Sequence, residues 1–136
     1  MGKNQRDLMS FHRFTAYIQY RLRAKTRHGI HSPFVYAFID NCLGVKSNLS
    51  LEERINAYFG SAVEWVNDDV EILPSDALSI KAIRGIHANA AAADKWHTLA
   101  HDTKGVIISI DLYSIGLLIY NPDVKEKQNF VLKYPL

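Results

Sequence analysis

No feature constrains the fold of this chain more than the run Val106-Ile-Ile-Ser-Ile-Asp-Leu112. A nearly continuous apolar run of β-formers predicts a central strand buried on both faces, not an amphipathic edge. Tyr113-Ser114 leads from it into Ile115–Tyr120, a second apolar run, so the pair predicts an antiparallel hairpin. Phe130–Tyr134 alternates Phe130, Leu132 and Tyr134 against Val131 and Lys133, which predicts the last strand. Upstream, Leu78–Ile83 reads as a strand with Lys81 on one side, and Ala62–Val66 and Val70–Leu73 are β-rich runs around the turn-forming Asn67-Asp68-Asp69. Between them Asn89 caps an alanine-rich helix that runs to His101, with Trp96 and Leu99 as its large packing residues and Gly105 beyond its end. Strand 78–83, helix 89–101 and strand 106–112 have the size of a βαβ unit. Asn121-Pro122-Asp123 starts a short polar turn or helix.

Before Gly60 the periodicity is helical instead. Leu8, Phe11, Phe14, Ile18 and Leu22 recur at three- and four-residue steps, predicting an amphipathic helix over 7–26. Ser32 and Pro33 are the cap and first position of a second helix, with Phe34, Val35, Phe38, Ile39 and Cys42 on its buried face and Gly44 at its end. Ser50-Leu51-Glu52-Glu53 is a capping box for a third helix, whose Leu51, Ile55, Tyr58 and Phe59 face inward. The expected fold class is α/β, within a single domain over 1–136: a helical N-terminal region, 1–60, then a small mixed sheet with one crossover helix, 61–136.

Composition narrows the function classes. The chain has 136 residues, one cysteine, and no apolar stretch of the roughly 18 residues that a membrane helix needs. Met1–Asp7 is polar and no apolar segment follows it, so no signal peptide is expected and the reading is a cytoplasmic, soluble protein with no membrane partner. A single cysteine excludes an internal disulfide and any zinc site built on a cysteine pair. The net charge of +2 conceals an asymmetry: residues 1–31 carry seven Lys/Arg and one Asp, a net +6, and the remainder carries −4. A basic arm can contact a polyanion such as nucleic acid, or pack on its own helix face with the charges in solvent. Phe11, Phe14, Tyr17 and Tyr20 interleave with its arginines at helical spacing, which core packing explains more simply than base stacking.

Two segments resemble one family. Arg23-Ala-Lys-Thr-Arg-His-Gly-Ile-His-Ser-Pro-Phe-Val-Tyr36 is similar to the N-terminal region of Bacteroidetes-type class I S-adenosylmethionine-dependent methyltransferases. Val106–Tyr120, continuing to Phe130-Val-Leu-Lys-Tyr134, is similar to their final hairpin and closing strand. Ile86-His-Ala-Asn89 and Lys95-Trp96 fall where that group has its last crossover helix. The resemblance implies that 78–134 is the second half of a Rossmann-like methyltransferase sheet with its last strand reversed, and it implies S-adenosylmethionine as cofactor. Three departures bear on activity. The cofactor of that group lies on a glycine-rich turn, and the seven glycines here (2, 29, 44, 60, 85, 105 and 116) include no Gly-x-Gly. Between the matching segments only 61–76 remains, too short for several βα units of about 30 residues each. Where the family carries an acidic pair before Ile-His, this chain has Arg84-Gly85-Ile86-His87.

Few residues carry candidate chemistry. His87 follows a strand end, where open α/β sheets place ligands, and Asp111 is a carboxylate in an apolar strand that needs a partner. These two are the candidate catalytic residues, with a structural role for Asp111 as the simpler alternative. Arg27, His28, His31 and Ser32 surround a helix start and form a candidate anion site. His97 and His101 have zinc-binding i, i+4 spacing, but no glutamate accompanies them and a solvated face explains them as well. No metal is expected, and Cys42 reads as a core residue.

The expectation is a methyltransferase-like chain that is non-catalytic by itself, working as a homo-oligomer or with a protein partner, or surviving as a remnant. The alternatives are a minimal methyltransferase with a site shared across a dimer, and a polyanion-binding module using the basic arm.

Overall fold

A computed structural model describes residues 32–67 and 70–134. The predicted helix over 7–26, the anion-site residues Arg27, His28 and His31, and the Asp68-Asp69 part of the predicted turn lie outside the described residues. The chain is of the α/β class and divides after Tyr58 into two compact units, a helical one and one built on a five-stranded mixed sheet.

In the helical unit, α1 (Pro33–Phe38) starts where its cap chemistry places it. Ser32 Oγ accepts from Val35 N at 3.2 Å, and Pro33 occupies the first turn, where a missing N–H costs nothing. The helix does not run on regularly to Gly44. It opens into a π-turn over Ile39–Leu43, closed by Gly44 N donating to Ile39 O at 2.6 Å. A Cβ on Gly44 would stand 2.8 Å from that carbonyl oxygen, so the wide turn ends at the one residue type without one. Val35, Phe38, Ile39 and Cys42 are buried as the spacing predicts, while Phe34 is only half-buried.

The capping box at α2 (Leu51–Phe59) closes reciprocally: Glu53 N donates to Ser50 Oγ and Ser50 N to Glu53 Oε1, both at 3.2 Å. Ile55 is fully buried; Leu51, Tyr58 and Phe59 are half-buried. The unforeseen buried residue is Arg54. Its Nε donates to Leu49 O (3.1 Å), one terminal nitrogen to Cys42 O (3.2 Å) and Val45 O, and the other to Ser47 O (2.7 Å). One guanidinium thereby serves four carbonyls, Cys42 of the π-turn and Val45, Ser47 and Leu49 of the linker that follows it.

The sheet has the order β1 (Val63–Val66), β2 (Ser79–Arg84), β4 (Ile115–Tyr120), β3 (Ile108–Tyr113), β5 (Gln128–Tyr134). β1 is parallel to β2 and β3 to β5; β4 runs antiparallel to both its neighbours. The predicted hairpin therefore forms, and the β2–α3–β3 crossover steps over β4 instead of placing its two strands side by side. Register stacks Ile80, Ile119 and Ile108 in one row and Ala82, Leu117 and Ile110 in the next, all fully buried. From Ile108 to Leu112 every residue of β3 is buried, the polar Ser109 and Asp111 included, as the nearly continuous apolar run predicts. β5 begins two residues earlier than Phe130, because Gln128 and Asn129 already pair with Ile108 and Ser109.

One predicted strand is absent. Val70–Leu73 pairs with no strand; instead Ile72 is buried in a cluster with Trp96, Ala100 and Val106, while Leu73 is exposed. Its β-branched side chains serve as a plug, a use that apolar periodicity does not distinguish from pairing. Likewise Asn121–Val124 is a turn without a helix: Asn121 accepts from Asp123 N through its side chain (2.9 Å) and from Val124 N through its carbonyl (3.1 Å).

α3 (Ala90–Asp102) begins at Asn89, whose Oδ1 accepts from Ala92 N at 2.8 Å. It meets the sheet through Trp96, whose ring lies flat over Gly116 of β4. A Cβ there would come within 2.4–2.7 Å of three ring carbons. Gly116 thus sets how closely helix and sheet approach.

Candidate functional site

The polar chemistry of the sheet unit gathers at the ends of β2 and β3. β2 stops at Arg84, and Gly85 (φ +66°) turns the chain, its N–H donating to Ser114 O at 2.8 Å and its carbonyl accepting from Ala88 N at 3.0 Å. That turn carries Ile86 into the core and delivers His87 to the tip of β3. There His87 Nε2 lies 2.7 Å from Asp111 Oδ2, while Asp111 Oδ1 accepts from Tyr113 N at 2.8 Å. Both carboxylate oxygens are engaged, as a buried carboxylate requires. The side chains of His87 and Asp111 are 30% and 12% exposed, so the pair is sheltered yet reachable.

Tyr113 adds two features. Its ring stacks on the imidazole, with centroids 5.4 Å apart and planes 16° from parallel. Its backbone has φ +73°, the left-handed region that a residue with a Cβ rarely takes. The Asp111 carboxylate holding the Tyr113 N–H stabilises that conformation locally. The structure thus brings together His87 and Asp111, each singled out separately in the sequence. Sequence reading missed Tyr113, because a positive φ at a non-glycine residue leaves no compositional trace. Chemically, the pair fixes one imidazole nitrogen and leaves the other to carry or accept a proton. Among the described residues no hydroxyl or thiol is hydrogen-bonded to His87.

A separate cleft of about 160 Å³ is lined in part by Gly85 and Ile86 of the same loop. It lies at the carboxyl ends of the parallel strands β1 and β2, against α3 from Ala92 to Leu99, and neither His87 nor Asp111 lines it. Arg84 stacks over Trp65 of β1 with its guanidinium carbon 4.3 Å from the ring centroid. Glu64 and Lys81, directly opposite across β1 and β2, form an ion pair.

The other candidates have simpler surroundings. Ser32 is buried with its hydroxyl committed to capping α1. His97 and His101 are exposed neighbours on α3, ring centroids 4.3 Å apart. Among the described residues no group of three or more His, Cys, Asp or Glu is placed to hold a metal ion. Cys42 is buried, and burial pushes its thiol up to about 12, against a smaller opposing pull from Arg54. No helix among the described residues is long and apolar enough to cross a membrane. No family model matches the chain, and neither a curated protein nor a solved structure shows a significant match to it.

Proposed function

We propose that this chain is a methyltransferase-like protein that does not transfer methyl groups by itself and acts in an assembly, with a second copy or another protein. The observation that carries this reading is β4, one antiparallel strand between the parallel-oriented β2 and β3. The resemblance to class I methyltransferases implies a reversed strand near the chain end of an otherwise parallel sheet; here the reversed strand is β4, and the last strand, β5, runs parallel to β3. The loss of catalysis rests on the glycines. The methionine and ribose of S-adenosylmethionine approach backbone closely, and no Gly-x-Gly is present to allow it. An assembly fits the same picture, since β1 is the last strand on its side of the sheet and a strand edge is a ready pairing surface.

The contact between His87 and Asp111 favours a second reading, a minimal methyltransferase whose site is completed across a dimer. Calorimetric titration of the full chain with S-adenosylmethionine separates the two. The first reading expects no saturable heat; binding at micromolar concentration would overturn it. Sedimentation equilibrium tests the assembly, expecting self-association or association with a protein that copurifies stoichiometrically.

A further inference from the structure

We propose that His97 and His101 on α3 form a two-imidazole chelate for a late first-row divalent cation such as Zn²⁺. The inference goes beyond the methyltransferase reading and does not depend on it.

The two rings stand side by side for a local reason. Trp96 and Ala100, four residues apart, are the buried residues of α3, and Trp96 is seated on Gly116 of β4. The next row of the helix, His97 and His101, therefore turns to solvent at the same spacing. Their ring centroids are 4.3 Å apart, with planes tilted by 52°. Zn–N bonds of about 2.0–2.1 Å hold two imidazole centres about 5 Å apart, so closing on one ion asks the rings to part by about 1 Å. Exposed side chains have that freedom.

The ring nitrogens are also uncommitted. Among the described residues no hydrogen bond or ion pair engages either ring. Lys127 Nζ donates to the main-chain carbonyl of His101 at 2.5 Å, leaving the imidazole itself unbonded. That ammonium lowers the affinity for a cation. Against it, His101 stands in the last turn of α3, where the partial negative charge of a helix C-terminus favours one.

The donor type selects the ion. Neutral imidazole suits Zn²⁺, Ni²⁺ and Cu²⁺, whereas Mg²⁺ and Ca²⁺ take oxygen ligands. Two nitrogens fill half of a tetrahedral shell, and no described His, Cys, Asp or Glu joins them as a third ligand. Water or a donor from another molecule takes the remaining positions, so the site is open and exchangeable, unlike a closed structural zinc site.

The test is a Zn²⁺ titration of the full chain in neutral buffer, followed by the ring-proton resonances of the histidines. His97 and His101 should shift together and saturably, with one dissociation constant of about 1 mM or tighter. Mg²⁺ should shift neither. His97→Gln, which leaves one imidazole, should weaken the response of His101 at least about tenfold. His101→Gln combined with Asp102→His keeps two histidines but turns the second by about 100° around the helix, and should not restore binding. Zn²⁺ should also raise the denaturant midpoint of the native chain more than that of His97→Gln, since the chelate exists only on a folded helix. The proposal is overturned if neither ring saturates, if Mg²⁺ shifts both as Zn²⁺ does, if His97→Gln leaves the response of His101 intact, or if the double variant binds as tightly as the native chain.

Discussion

The two units solve the same backbone problem by opposite means. In the sheet unit, strand ladders absorb the peptide groups, and stability comes from apolar rows such as Ile80, Ile119 and Ile108. Polar side chains collect at its rim, where His87 meets Asp111 and Arg84 and Lys95 line a cleft. The described part of the helical unit has no ladder. A six-residue helix, a π-turn and a linker leave carbonyls exposed to desolvation, and a charged side chain is drawn in to satisfy them. The difference teaches where to look for function. A buried charge whose partners are all main-chain carbonyls holds the fold, whereas one paired with a titratable side chain at a strand tip is placed for chemistry.

Arg54→Met should break the helical side of that contrast hardest, costing about 2–4 kcal/mol because four carbonyls lose their donors. Denaturant unfolding of the full chain measures it; a loss under about 1 kcal/mol would mean that water replaces the guanidinium and the contrast is false. Gly116→Ala probes the sheet side, where steric fit matters more than hydrogen bonding. It should cost about 1–3 kcal/mol, and the cost should shrink in a Trp96→Leu background, where no ring covers the position. A double-mutant cycle between Asp111→Asn and His87→Phe sharpens the comparison further. A coupling of about 0.5–1.5 kcal/mol is expected, well below the Arg54 effect, since both side chains reach solvent. Cys42 gives the smallest effect at neutral pH. Its folded thiol at about 12 lies above the ordinary value of 9.0, so it contributes stability below pH 9 that is lost as the pH rises from 9 towards 12. Accordingly the native chain should resist iodoacetamide at pH 8 and react only on unfolding; rapid native alkylation would show the thiol to be open to solvent.

Much of the local structure was legible because its chemistry is short-range. Ser32 and Pro33, the Ser50–Glu53 box and Asn89 each mark a helix start by satisfying N–H groups within one turn. The hairpin was legible from two apolar runs meeting at Tyr113-Ser114. Val70–Leu73 was misread as a strand because β-branched composition reports burial as readily as pairing. Arg54 stands three residues after Leu51, on the side of α2 that Ile55 also occupies, and that position could have flagged it as buried. Its four acceptors could not be foreseen, since they belong to a π-turn and a linker whose path is not periodic. For the candidate site, the sequence pointed to His87 and to Asp111 one at a time; the 2.7 Å contact between residues 24 apart depends on β4 aligning the strand tips. The cleft was not foreseen, although Arg84 was noticed.

The sequence by itself determined the α/β class, the change of period near Gly60, the helix caps and the central burial of the hairpin. Those follow from hydrogen bonding and hydrophobic spacing within a few residues. Only the tertiary structure decided that β4 lies between β2 and β3, that Trp96 rests on Gly116, that His87 meets Asp111 and that a cleft opens at the ends of β1 and β2. Strand order and interlayer distance are set by how whole surfaces pack, and no local pattern encodes which distant surfaces will meet.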